Sequence, residues 1–412
     1  MWKNRKSDSN DVPRQSQLLN ATCEFLRDVD PRNDDYATIA VDRMLRQAIK
    51  LHASDIHLDP AGASIQIRLR IDGVLSSFGV VPQGQMTTIA NRLKSIAKLL
   101  TYRVDVPQEG RLAILGSELE ARVVTLPTLH GERIVIRLAN QQGKQWLPSD
   151  LGLPQLVFEQ ISASLAEPAG VVLFTGPAGS GKSTSAYACI RAIAATSSSS
   201  RSIVSLEDPI EVEIPNVAQS QIQPNVGYDW ASGLKAILRQ DPEVLLVGEI
   251  RDNETAQTVF QAAMTGQLVV STMHARSACD GLRRLLDMRV PVHQIRSSLN
   301  VLVCQRLVRR LCDCRVPSST SPVPATARES RWVDDFVPAG CEHCHQSGYR
   351  GRLLLAEVLP AMDDHLGQAI CSGGDTFDWQ QIASRLGMQT LEQYATEVLR
   401  HGWTTSQELG RL

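Results

Sequence analysis

The amino-acid sequence predicts an α/β protein, a parallel sheet with helices on both faces, preceded by a smaller α+β domain. Two observations carry this. From residue 151 onward, short aliphatic runs recur between helical stretches: Val171–Thr175, Ile203–Leu206, Val244–Val247 and Leu268–Thr272. Aliphatic strands without polar alternation are buried on both sides, as a sheet covered by crossover helices requires. Upstream, residues 37–138 alternate between helix-like and strand-like patterns, which reads as a compact α+β domain.

Within that first domain, Ala40–Leu51 spaces its apolar residues three and four apart, as an amphipathic helix requires. Ser64–Ile71 alternates with period two, and Asp72-Gly73 supplies the turn that follows. Met86–Leu100 returns to helical spacing, and Arg122–Leu138 gives two short strands around His130-Gly131. Residues 139–150 hold three Gln, a Gly and a Pro and suit a linker. The second domain spans 151–356, with Thr196 and four serines as a surface loop. A Ser-, Pro- and Ala-rich excursion covers 315–340, and 357–412 reads as a small helical C-terminal region.

Composition narrows the class. A chain of 412 residues with 43% hydrophobic content suffices for two or three packed domains, with aliphatic cores because aromatics are only 5%. A formal net charge of −2 argues against a protein that coats nucleic acid by bulk electrostatics. Residues 1–36 read as a flexible polar leader without the apolar core of a signal peptide. No window reaches the roughly 18 apolar residues of a membrane span. A cytoplasmic protein is expected, and in that reducing compartment nine cysteines do not suggest a disulfide framework. Cys23, Cys189, Cys279, Cys304 and Cys371 are scattered and read mostly as small buried apolar residues.

Gly176-Pro177-Ala178-Gly179-Ser180-Gly181-Lys182-Ser183 follows the run Val171–Phe174 and precedes a helix-forming stretch that begins with Ser183 and Thr184. Glycines let backbone N–H groups wrap a phosphate, and the helix directs its positive end at it. Lys182 is placed to reach the β- and γ-phosphates of ATP, and Ser183 to hold Mg²⁺. Such a loop needs an acidic residue on a neighbouring strand, and Val244–Gly248 ends in Glu249. A second cluster, Glu207-Asp208-Pro209-Ile210-Glu211, follows Ile203–Leu206, where carboxylates at strand ends face the ligand crevice of an open sheet. Either Glu207 or Glu211 is a candidate to orient and deprotonate the attacking water. Asp208 is equally suited to capping the turn at Pro209.

These segments in order resemble the secretion ATPase superfamily, and within it the type II secretion and type IV pilus assembly ATPases (GspE/PilB-like). Ser205–Glu211 resembles the family's acidic box, Leu238–Asp252 its second acidic motif, Thr265–His274 its histidine box, and Gln305–Cys312 a further segment. Ala53–Leu58, Arg68–Gly73 and Gly131–Arg137 resemble its second N-terminal domain. The resemblance covers 37–412. It implies a RecA-like P-loop ATPase core, a hexameric ring, and ATP hydrolysis coupled to an inner-membrane platform protein, with an adaptor protein as a further partner and no nucleic acid. It also implies that Arg122, Arg133 and Arg137 approach the phosphates on closure, although each arginine is also compatible with a strand-face charge. His274 becomes the phosphate sensor. Gln267 stands where the family usually has histidine, and glutamine cannot carry a proton's charge.

Cys312-Asp313-Cys314 and Cys341-Glu342-His343-Cys344 are two close pairs at 312–344. Four thiolates suit tetrahedral Zn²⁺ in a structural role, and Cys-x₂-Cys is the normal bite for one half. The first pair is one residue tighter than the family's pattern. A site with free thiols, or one in which His343 or His345 replaces a sulfur, is the alternative. The resemblance associates this element with assembly and secretion motors rather than with pilus retraction ATPases, the rival reading beside a nucleotide-binding scaffold with little turnover.

Overall fold

The computed structural model describes residues 26, 28–30, 32–62, 64–82, 86–113, 120–138, 145–196, 201–318, 334–359 and 364–411. Residues 1–25 of the leader, 139–144 of the linker, the serines 197–200 and 319–333 of the long excursion lie outside them. The chain divides into two compact units, Met1–Gly143 and Lys144–Leu412.

In the first unit, helix α1 (Tyr36–Lys50) leads into strands β1 (Ala53–Ala61), β2 (Ser64–Ile71) and β3 (Val74–Pro82), helix α2 (Met86–Ile96), and strands β4 (Gln108–Ala113), β5 (Glu120–Thr128) and β6 (Gly131–Leu138). The strands form one antiparallel sheet in the order β3-β2-β1-β6-β5-β4. Period-two alternation divides its faces. Ile56, Leu58, Ile65, Ile67, Leu69, Val123, Ile134 and Ile136 are buried in one cluster with Ala40, Met44 and Leu45 of α1 and Leu93 of α2. Each such aliphatic side chain contributes about 1.5–3 kcal/mol. Asp72 and Gly73 both take positive φ, 47° and 84°, and join β2 to β3 across the pair Ile71–Val74. That is the two-residue hairpin turn whose twist matches its strands. Two expectations shift here. Val29 and Tyr36 are buried in this core, so the end of the leader belongs to the domain. Helix α2 stops at Ile96 because Lys98 is left-handed (φ 57°) and the Leu99 N–H returns to the Lys94 carbonyl at 2.8 Å.

The second unit holds helix α3 (Gln155–Ala166), strand β7 (Gly170–Thr175), helix α4 (Lys182–Thr196), β8 (Ile203–Glu207), β9 (Ala218–Gln221), α5 (Trp230–Ile237), β10 (Val244–Val247), α6 (Asn253–Met264), β11 (Leu268–Met273), α7 (Ala278–Asp287), α8 (Val292–Ser298) and β12 (Leu299–Leu311). There follow β13 (Val316–Pro317), β14 (Phe336–Val337), β15 (Tyr349–Val358), α9 (Asp364–Cys371), α10 (Thr376–Arg385), α11 (Leu391–Arg400) and α12 (Ser406–Leu409). The seven-stranded sheet runs β15-β12-β7-β11-β10-β8-β9, parallel throughout except for β15. Successive residues of one strand enter separate cores. Val171, Leu173, Leu245 and Val247 pack with α6 and α7, whereas Val172, Phe174, Val244 and Leu246 pack with α3 and α4. That double burial is why these strands read as unbroken aliphatic runs. The sequence reading had no β12–β15 pair; Gln305, Arg306, Arg309 and Arg352 break its aliphatic pattern.

Buried polar groups fasten both units. Lys94 is fully buried, its ammonium 2.5 Å from the Glu132 carboxylate and 2.8 Å from the Arg103 carbonyl. Glu357 accepts from the first N–H groups of two helices, Ala278 at 2.7 Å and Leu391 at 2.9 Å, where the helix dipoles favour a carboxylate. Burial pushes the Glu357 pKa up, against the pull of those two donors. Lys94→Ala or Glu132→Ala is expected to destabilise the protein by about 3–5 kcal/mol, because either leaves one charge buried without its partner. Lys94→Met with Glu132→Leu is expected to lose much less, and equilibrium urea unfolding of the full chain compares the three.

Candidate phosphate site and cysteine cluster

Strand β7 delivers the chain into Gly176, which takes φ 147°. A Cβ there would lie 2.4 Å from the Ser180 hydroxyl and 2.5 Å from the Gln305 carbonyl, so only glycine fits. Pro177, Ala178 and Gly179 are exposed, Ser180 is buried, and Gly181 leads into the first turn of α4. Lys182, buried, donates to the Gly176 carbonyl at 3.0 Å and the Pro177 carbonyl at 2.8 Å. Burial lowers its pKa while Glu249 opposes that shift. Ser183 is half-buried and Thr184 exposed on the same turn.

Strands β7, β11 and β10 are adjacent and parallel, so the residues beyond their carboxyl ends gather at one edge. His274, just after β11, sits beside Gly176, and its Nε2 lies 3.7 Å from Glu249 Oε2. Burial first, then the Lys182 charge, depress the His274 pKa against Glu249. The imidazole is therefore neutral at neutral pH. The other oxygen of Glu249 is paired with Arg251, whose guanidinium lies 3.8 Å from Asp208. Gln267 sits at the opposite, amino end of the six-residue strand β11, roughly 20 Å of extended chain from His274. Its amide oxygen accepts from the Thr265 hydroxyl at 2.8 Å.

The two glutamates of the acidic box occupy different surroundings. Glu207 is buried, and both its oxygens are engaged: one accepts from the Tyr187 hydroxyl, the other from Ser205 at 2.5 Å and Gln219 at 3.0 Å. Glu211 is exposed, and its backbone N–H donates to the Tyr187 oxygen at 3.1 Å. Burial and Glu207 push the Tyr187 pKa up, keeping the phenol protonated as a donor. Ser183, Ala186, Tyr187, Glu207, Glu211, Leu246, Gly248 and Thr272 line one small cavity beside the glycine loop. The sequence reading did not single out Tyr187 or Gln219. Tyr187, the one aromatic residue in a helix of mostly small residues, was the available signal.

In the first unit, sheet register places Arg122 opposite Arg137, and Arg133 four residues along the same strand as Arg137. All three lie on the sheet face away from α1 and α2, with Asp55, His57 and Asp59. Each already has a partner. Arg122 pairs with Glu109, Arg137 with Asp55 at 3.1 Å, and Arg133 with Asp59 at 2.6 Å and His57 at 3.1 Å. Arg68, Arg70 and Arg111 occupy register positions on that face and extend its cationic character.

The four clustered cysteines stand at the loop end of the β12–β15 hairpin. Cys312 directly follows β12, and Cys341 and Cys344 precede β15. All four sulfurs lie within 4.8 Å of one another, with separations of 3.8 Å for Cys312–Cys341, 3.8 Å for Cys314–Cys344 and 3.7 Å for Cys341–Cys344. A tetrahedral ion with bonds of about 2.3 Å spaces its sulfurs about 3.8 Å apart. The cluster fits a four-thiolate metal site, and the tight Cys312-Cys314 bite places both sulfurs in it. Cys344 Sγ also accepts from the Cys341 N–H at 3.1 Å and the Gly348 N–H at 3.2 Å. Burial pushes this thiol up, but those bonds together with the contacts to the Cys341 and Cys314 sulfurs outweigh it and bring the thiol down to about 7. His343 and His345 are exposed.

Comparison with known proteins agrees with this geometry. Residues 31–411 match the family described as "Type II/IV secretion system protein". The chain is 41% identical over 379 residues to the type II secretion system protein E of Dickeya dadantii, covering 90% of this chain and 74% of the relative. It is 36% identical over 379 residues to the type IV pilus assembly ATPase PilB of Thermus thermophilus, covering 90% of this chain but 42% of the relative's length. The X-ray structure of the Legionella pneumophila ATPase DotB shares the fold, with a TM-score of 0.64 at 23% identity over 90% of this chain and 94% of that one. The chain belongs to the type II/IV secretion system protein family.

Proposed function

We propose that this chain is an ATP-hydrolysing motor that powers assembly of a type II secretion pseudopilus or a type IV pilus through an inner-membrane platform protein. The observation that carries the reading is the convergence of Lys182, Glu249 and His274 on the glycine loop. Lys182 exchanges the Gly176 and Pro177 carbonyls for the β- and γ-phosphates. Ser183 and Glu249 would hold Mg²⁺, which would supply Lewis-acid charge neutralisation. Glu211, exposed at the cavity rim, takes the proton of the attacking water. Glu207 supports it, since both its oxygens already accept hydrogen bonds. His274, neutral, donates a hydrogen bond that reports the γ-phosphate. Arg122, Arg133 and Arg137 leave their carboxylate partners to stabilise developing phosphate charge.

The same reading places the motor in a homohexameric ring on the cytoplasmic side of the inner membrane, with an adaptor protein as a further partner. Among the described residues, no helix is long and apolar enough to cross a membrane. Zn²⁺ is the proposed occupant of the four-sulfur site, because all-thiolate tetrahedra select it and no ligand position is left open for catalysis.

Lys182→Ala is expected to lower steady-state phosphate release by about 100-fold or more, as losing a charged donor to the transition state does. Turnover equal to wild type would sink the motor assignment. Elemental analysis of purified protein is expected to find about one Zn²⁺ per chain, falling towards zero in Cys341→Ser together with a lower melting temperature.

A further inference from the structure

We infer that Tyr187 and Gln219 are positioning residues for hydrolysis, holding the Glu211 loop over the glycine loop by way of the buried carboxylate of Glu207. The inference rests on the reading of Glu211 as the group that activates water. A general base must stand within about 2.6–3.2 Å of the proton it takes. Glu211 is an exposed residue on an irregular stretch between β8 and β9, which has no ladder to fix it. Side chains fix it instead. The Glu211 N–H donates to Tyr187 at 3.1 Å and the Ile210 N–H to Gln221 at 3.3 Å. Gln219 donates to the Val212 carbonyl at 3.1 Å and accepts from the Ile214 N–H at 2.7 Å. Four consecutive-to-near-consecutive backbone groups are thereby held.

Tyr187 and Gln219 are themselves oriented by one group. Each donates to Glu207, to different oxygens, and Ser205 donates to the same oxygen as Gln219. The phenol is fully used, donating to Glu207 and accepting from Glu211, so phenylalanine could fill its volume but make neither bond. Tyr187 also belongs to the helix that starts at Lys182. One rigid element thus carries the phosphate-binding ammonium and the side chain that places the base. Cutting the Tyr187 link should slow the chemical step without loosening the nucleotide, because the glycine loop and Lys182 do not depend on it.

The test uses the full-length chain. Tyr187→Phe and, separately, Gln219→Ala are expected to lower kcat for ATP about tenfold, the low end of what a misplaced general base loses. KM for ATP and the affinity for ADP should stay within about twofold, as uniform binding is untouched. ADP binding also shows that each variant is folded. In a Glu211→Ala background, measured under single-turnover conditions, Tyr187→Phe is expected to produce no further loss, since residues acting through one another are not additive. An unchanged kcat, a parallel loss of ADP affinity, or an equal further loss in the Glu211→Ala background overturns the inference. Wild-type turnover by Glu211→Ala removes the base assignment and this inference together. A slow Glu211→Ala beside an unaffected Tyr187→Phe removes this inference alone.

Discussion

The double burial of strands β7, β11, β10 and β8 is the constraint on which the site depends. With helices on both faces, each strand spends its side chains on two apolar cores. Among the described residues, ladder positions meet the cavity beside the glycine loop near the strands' carboxyl ends, as Glu207, Leu246 and Thr272 do. Chemistry is confined to what lies at or just past the carboxyl ends, and parallel register gathers those ends on one edge. The glycine loop, Glu207, Glu249 and His274 each follow or end a different strand of the four. Register alone brings together residues separated by up to about a hundred positions.

That constraint explains what was legible in the sequence. The four aliphatic runs were readable because strands buried twice have no polar alternation to obscure them, and observed strand limits differ from the runs by one residue at most. Asp72-Gly73 was readable because its turn chemistry is local. Strands β12 and β15 were not, because their outer halves extend past the parallel sheet and carry Arg309 and Arg352 towards solvent and the C-terminal helices. Lys94 could not be recognised as buried either. An isolated lysine in an amphipathic helix reads as surface until its partner Glu132, on another strand, is located.

Within the site, the glycine loop and the acidic residues were visible as patterns, but their division of labour was not. Glu207 and Glu211 are four residues apart and chemically identical in the sequence. Folding buries one under three donors and leaves the other at a rim. The partners that make the difference, Tyr187 from α4 and Gln219 from β9, lie 20 and 12 residues from Glu207 in sequence. Gln267 changes weight in the opposite direction. The resemblance put Gln267 and His274 in one histidine box, whereas the two flank opposite ends of β11, Gln267 just before its amino end and His274 just past its carboxyl end.

The cysteine cluster has a consequence in polymer terms. The chain leaves the hairpin at Cys312 and returns at Cys344, within reach of the same point. A metal at that point turns everything between the pairs into a closed ring tethered at one spot. Ring-closure entropy rises only logarithmically with contour length, about 0.6 kcal/mol for each doubling. Residues can therefore be added to or removed from this excursion at little thermodynamic expense, and the pairing of β12 with β15 does not register the change. The excursion is a place where the chain can change in length while the sheet and the edge that carries the glycine loop stay the same.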